Sequence, residues 1–247
     1  MKKLFLFILS IFILSITSTY AQNKPSVATS RKDFLRGLNK FSEDTCFVQV
    51  DRKYTYQQAP NNYLNRQVYE AFKKMWEAAK QDGVKLVILS NARTFWVQRI
   101  VWNRRWDEST WAAGPGRLKS LMKYSAVPGA SRHHWGTEVD LNSKSFDYWR
   151  SATGKKAHQW LTENGPKFGF YQPYSAKGGP GSGLREFGHE EEKWHWSYYP
   201  LASKFMKEYV NLITEEDIKG FAGDKYISGL DIINTYVLGV ATEPNAL

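Results

Sequence analysis

The chain of 247 residues has a single cysteine, Cys46, so no internal disulfide can form. Its fold must be held by the core, and a chain of this size buries enough apolar surface for that. There is no low-complexity tract or internal repeat. With 42% hydrophobic and 15% aromatic residues, the composition excludes a largely disordered protein. Apolar runs of membrane-spanning length are also missing. The longest, Leu4 to Ile16, has 13 residues, whereas a span needs about 20. Acidic residues are in the minority, 24 against 34 Lys and Arg, which leaves a formal charge of +10. A basic surface suits an anionic polymer or a carboxylate-bearing substrate.

The short apolar run has a clear context. In MKKLFLFILSIFILSITSTYAQ two lysines precede it, and small and polar residues ending in Ala21 follow, the layout of a secretory signal peptide. Cleavage after Ala21 would leave residues 22–247 as one soluble, secreted or periplasmic domain without a membrane span. Cys46 lies too far from that junction to carry a lipid. The segment RIVWNRRW mixes Arg with Trp as nucleic-acid faces do. No recognised nucleic-acid motif accompanies it, and secretion argues against such a partner.

Two stretches far apart in the chain hold the parts of a hydrolytic metal site. SRHHWGTEVDLN (131–142) contributes His133 and Asp140, and EEKWHW (191–196) contributes Glu192 and His195. A catalytic zinc is usually held by three His, Asp, Glu or Cys ligands, with water in the open position. His133, Asp140 and His195 meet that count. A carboxylate is still needed to take the proton of the attacking water, and Glu192 stands three residues before a ligand. Of the other histidines, His158 falls on a predicted helix and reads as structural, while His134 and His189 have no assigned role.

These stretches resemble the Ser-x-His-x-x-Gly-x-Ala-x-Asp and Glu-x-Trp-His motifs of the zinc D-alanyl-D-alanine carboxypeptidases, peptidoglycan enzymes related to lysostaphin and the hedgehog domain. Ser131, His133, Gly136 and Asp140 match the first motif, and Glu192, Trp194 and His195 the second. SNARTFWVQ, after the apolar run Lys85 to Leu89, is similar to that family's Ser-x-x-Arg-Ser/Thr-x-x-x-Gln segment. By this resemblance Arg93 faces the scissile carbonyl and Gln98 lines the cleft. A carbonyl attacked by water becomes an oxyanion, which a fixed guanidinium stabilises more than the neutral ground state. Ser131 would contact substrate, orient a ligand or only shape its turn. One position departs from the motif. Glu138 replaces the small residue, on the same strand face as Asp140. It would crowd the metal, stand behind a ligand or pair with an arginine, and a simple salt bridge is the expectation.

The resemblance implies an α+β fold, a central mostly antiparallel sheet flanked by helices, and covers Lys85 to Tyr199 best. Periodicity predicts a helix within 61–81 with an apolar stripe of Val68, Phe72, Met75, Trp76 and Ala79. It also predicts a strand at 85–89 and a second helix after Arg93 with Trp96, Ile100 and Trp106 inward. Residues 114–130 read as loop, and a helix ends at Asn164 with Gly165 as a left-handed cap. A Gly-rich mobile loop is expected at 173–183. Glu192 and His195, three apart, would share one face only if the chain bends before the strand. In the tail, Phe205, Tyr209 and Leu212 are expected to pack, and Ser228 with Asp231 reads as a capping box. Residues 213–247 have no functional reading beyond bracing.

The expected activity is that of a zinc D,D-carboxypeptidase acting on peptidoglycan stem peptides. Three rivals stand beside it: an endopeptidase of the same family, a non-catalytic zinc-containing wall-binding module, and a basic nucleic-acid binder. The second should lack the base, and Glu192 is present.

Overall fold

The computed structural model describes residues 30–56, 62–178 and 184–241. The proposed leader and residues 179–183 of the expected Gly-rich loop lie outside the described residues. Helix α1 (Arg31–Leu35) leads into a two-stranded sheet of β1 (Phe47–Gln49) and β2 (Tyr63–Asn65). Helix α2 (Arg66–Gln81) begins where the Asn65 side chain accepts from Gln67 N–H. Its expected stripe is buried at Val68, Phe72, Met75 and Ala79, while Trp76 is half-buried with its indole N–H on Leu86 O. The next strand, β3 (Ile88–Ser90), is shorter and later than predicted, and Leu89 faces outward.

Helix α3 (Phe95–Glu108) is capped by the Thr94 hydroxyl, which accepts from Val97 N–H. Its phase differs from the prediction. Phe95, Gln98, Trp102 and Trp106 point inward, whereas Trp96 and Ile100 are 52% and 70% exposed. Trp102 wins the inward position because its indole donates to Ala222 O in the C-terminal segment. The region read as loop contains α4 (Pro115–Leu121), which starts on a proline and buries Leu118.

The main sheet is completed by β4 (Glu138–Leu141), β5 (Phe170–Tyr171) and β6 (His195–Tyr198). Its order β3-β4-β6-β5 is antiparallel throughout, in line with the expected α+β class. Helices α5 (Phe146–Arg150) and α6 (Ala152–Asn164) connect β4 to β5, and α7 (Tyr199–Leu212) follows β6. Gly165 is not a left-handed cap. The chain continues as a 3₁₀ turn, and Gly169 takes the positive φ.

Strand alternation positions the site. Val139, Leu141 and Trp196 enter one core with α2 and α6, which leaves Glu138, Asp140, His195 and Ser197 on the other face. A second core joins α1, α3 and α7 to Ile213, Ile218, Phe221, Ile232 and Val237. The tail therefore braces α3. Leu212 is exposed, unlike Phe205 and Tyr209. The predicted box at Ser228 and Asp231 does not form, because Asp231 has φ 47°. Thr214 and Asp217 make the capping box instead. Among the described residues no helix is long and apolar enough to cross a membrane.

Candidate active site

His133 sits in a 3₁₀ turn, Arg132–Trp135, closed by Gly136 at φ 68°. A Cβ on Gly136 would come within 2.4 Å of Phe47 and 3.0 Å of Asn65 N, so only glycine lets the turn pack this closely. Asp140 on β4 and His195 on β6 are direct cross-strand partners. Among the described residues, His133, Asp140 and His195 form a buried group whose ligand atoms lie within 4.8 Å of one another.

The outer atom of each residue in this group is already engaged. His133 Nδ1 donates to Asn91 O at 2.8 Å, which leaves Nε2 with its lone pair. His195 Nε2 lies 2.9 Å from Glu138 Oε2, so its Nδ1 faces the centre. Asp140 Oδ2 lies 2.7 Å from Lys144 Nζ, and Oδ1 remains. The inner atoms converge, with Oδ1 3.4 Å from His133 Nε2 and 3.3 Å from His195 Nδ1. His133 Nε2 and both Asp140 carboxylate oxygens are buried without a hydrogen-bond partner among the described residues, Oδ2 having only its ion pair with Lys144. Buried polar atoms are rarely left so, and two nitrogens and a carboxylate oxygen fit a divalent metal with open coordination positions.

The charges agree with this arrangement. Burial, reinforced by Arg93, pushes His133 down to about 4, so it is a neutral donor at ordinary pH. Burial also opposes charge on His195, but hydrogen bonds to Asp140, Glu138 and Glu192 outweigh it and hold the group well above 6.5. Asp140 pays its burial cost and is still held well below the usual range, chiefly by Lys144 and the His133 side chain.

Glu192 lies outside the strand, in a turn where His195 N–H donates to Glu192 O at 3.2 Å. This is the bend that the spacing required. Glu192 Oε2 stands 3.2 Å from His195 Nδ1. Trp194, inside the turn, is buried against Phe146. Glu190 pairs with Lys177 at 2.8 Å, away from the metal group.

A cleft of about 760 Å³ brings together all seven residues expected from sequence: His133, Asp140, His195, Glu192, Arg93, Gln98 and Ser131. Arg93 is half-buried, and its Nε is a buried atom with no hydrogen-bond partner among the described residues. Gln98 donates to Ala126 O at 2.6 Å, which leaves its carbonyl oxygen buried and without a partner among the described residues. Ser131 makes no side-chain cap, and its carbonyl accepts from His134 N–H. His134 is fully engaged with Arg93 O and Gly129 N–H, while His158 bonds Gln172; neither belongs to the group.

Sequence reasoning missed several participants. Lys144 follows Asp140 by four residues, but the intervening turn gives no motif signal. Asn91 acts through its backbone carbonyl, which has no side-chain signature. Arg104 and Arg105 line the cleft about two turns beyond Gln98 on α3, at a spacing that was visible in the sequence. Glu138 makes the expected salt bridge to an arginine, which is Arg132 at 3.3 Å, and a second contact with His195.

Residues 61–201 match the family profile VanY, described as D-alanyl-D-alanine carboxypeptidase. A D-alanyl-D-alanine carboxypeptidase of Enterococcus faecalis is 28% identical over 145 residues, 58% of this chain and 50% of that protein. The putative carboxypeptidase YodJ of Bacillus subtilis is 26% identical over 159 residues, 63% of this chain and 54% of its own. This chain thus spans about half the length of those curated relatives. A solved vancomycin-resistance D,D-pentapeptidase VanY in complex with Zn(II) is 23% identical, with a TM-score of 0.46. That likeness covers 73% of this chain and 98% of that one.

Proposed function

The chain belongs to the VanY family of D-alanyl-D-alanine carboxypeptidases, and we propose that it is a secreted zinc peptidase that removes the terminal D-alanine from peptidoglycan stem peptides. The observation that carries this reading is the convergence of three inward ligand atoms with the Glu192 carboxylate on one cleft. His133, Asp140 and His195 would hold the ion. Bound zinc would supply a Lewis acid and lower the pKa of its water to about 7.

The chain's own residues provide the rest. Glu192 takes the proton of the attacking water and passes it to the leaving amine, so one carboxylate serves both halves of the reaction. Arg93, held by its backbone N–H on His133 O at 3.1 Å, offers a positive charge to the oxyanion. Gln98 presents an acceptor to a substrate N–H, and Ser131 lines the floor beside His133. Arg104, Arg105 and Lys144 make the cleft cationic, which suits a peptide rich in carboxylates. A leader ending at Ala21 would carry the enzyme to the periplasm or beyond, where this substrate lies.

The test is incubation of zinc-loaded protein with a stem pentapeptide and with cross-linked muropeptides, followed by mass spectrometry. Release of free alanine is expected. Conversion of dimers to monomers without alanine release would make the enzyme an endopeptidase instead. Zinc binding without cleavage of either substrate would leave the wall-binding reading.

A further inference from the structure

The strand face that carries the metal group also carries a buried chain of charges whose role the motifs do not assign. Glu138 Oε2 lies 2.9 Å from His195 Nε2, while Oε1 accepts from Ser197 Oγ at 2.8 Å and from Thr137 Oγ1 at 2.9 Å. Arg132 Nη2 lies 3.3 Å from the same Oε1, donates to Ser197 Oγ at 2.8 Å, and its guanidinium sits over the Trp135 ring. Glu138 is wholly buried, and Arg132 nearly so.

Such a pair is a poor device for stability alone. Taking both charges out of water costs more than an apolar pair of similar size would. Its geometry points elsewhere. A neutral imidazole has one N–H and one lone pair, and only the lone pair can hold a metal. A carboxylate at Nε2 requires the proton there, which turns the Nδ1 lone pair toward Asp140 and Glu192. His133 receives the same service from the neutral Asn91 carbonyl. His195 has a charged acceptor instead, and that acceptor is fixed on its far side by Arg132, Ser197 and Thr137.

We propose that Glu138 is the positioning residue for His195, locking its ring and its proton so that Nδ1 is the metal donor, and that metal affinity in this chain depends on the Arg132–Glu138–His195 line. The position where the family motif has a small residue is thereby a working part of the centre. This inference rests on the reading of His195 as a ligand.

The test uses the full mature protein, with zinc affinity measured by competition against a chelator. Glu138→Gln keeps the shape and loses the charge. Glu138→Asp keeps the charge but is too short to span Arg132 and His195. Both are expected to bind zinc about 10–100-fold more weakly than the parent, the usual loss when such a support is removed. If the folded variants bind as tightly as the parent and differ only in melting temperature, Glu138 is a structural ion pair and the proposal is overturned. Imidazole nitrogen NMR on the zinc-loaded parent decides the matter even if neither variant folds. Zinc on His195 Nδ1 with the proton on Nε2 supports the proposal, and zinc on Nε2 overturns it. A parent that holds no zinc, or a His195→Ala variant that holds it as well, would instead overturn the metal-site reading itself.

Discussion

Glu192 and His195 approach to 3.2 Å across a turn, a contact that brings the proposed base and a proposed ligand of one short motif to the same point. On a continuous strand, residues three apart face opposite sides. Here β6 starts at His195, and Glu192 is turned back by the hydrogen bond between the two backbones. Glu192→Gln keeps the size of the side chain and removes its capacity to accept a proton. We expect zinc stoichiometry by elemental analysis to be unchanged and kcat to fall by about 10²–10⁴-fold, the range for a general base. Loss of zinc together with activity would instead make Glu192 a ligand.

Metal uptake should release a proton. In the metal-free protein His195 is held well above 6.5, so at pH 6.5 it is an imidazolium and must lose a proton to become a donor. His133, pushed down to about 4, is already neutral and releases none. Calorimetric titration with zinc at pH 6.5 in two buffers of different ionisation enthalpy should therefore report about one proton released from the ligand set. Affinity should weaken as the pH is lowered further. Uptake without proton release would contradict the charge state of His195.

The turn that presents His133 should not tolerate a side chain at Gly136. Gly136→Ala places a Cβ against Phe47 and Asn65 in a left-handed conformation. The strained backbone costs roughly 1–3 kcal/mol, and the overpacking adds about as much again. Gly229→Ala is the control, since that glycine also has a positive φ but nothing lies within 4 Å of the added atom. Denaturant unfolding should show a clearly larger loss at Gly136, accompanied by weaker zinc binding at that site alone.

Arg93 should matter for turnover more than for metal. Burial pulls its pKa down, opposed by Asp140 and Glu192, and the side chain reaches the cleft without a carboxylate ion pair of its own among the described residues. Arg93→Met is expected to lower kcat by about 10²–10³-fold, the usual cost of losing one oxyanion donor, with zinc content intact. An effect confined to KM would place Arg93 in ground-state binding only.

The candidate ligands and base were legible because each lies within a short contiguous motif, where spacing along the chain survives folding. Arg93 and Gln98 were legible for the same reason, on the segment entering α3. The second role of Glu138 was not, because it depends on β4 pairing with β6 in a register that sets Asp140 opposite His195. Nor was the support from Lys144, which returns to Asp140 only after a turn. On α3 the apolar residues outnumber the inward positions. Contact with the C-terminal segment, rather than periodicity, selected Trp102 over Trp96 and Ile100. The leader ending at Ala21 is tested by N-terminal sequencing of protein recovered from a secreting host.

The most direct measurement of the central claim is alanine release from a stem pentapeptide by the parent, by the chelator-stripped protein and by Glu192→Ala, with zinc content followed in each. Release by the parent and its loss on stripping are expected, with recovery when zinc is restored. Glu192→Ala should release none although zinc remains bound. Release that persists in Glu192→Ala, or in fully stripped protein, would contradict a zinc peptidase with Glu192 as its base.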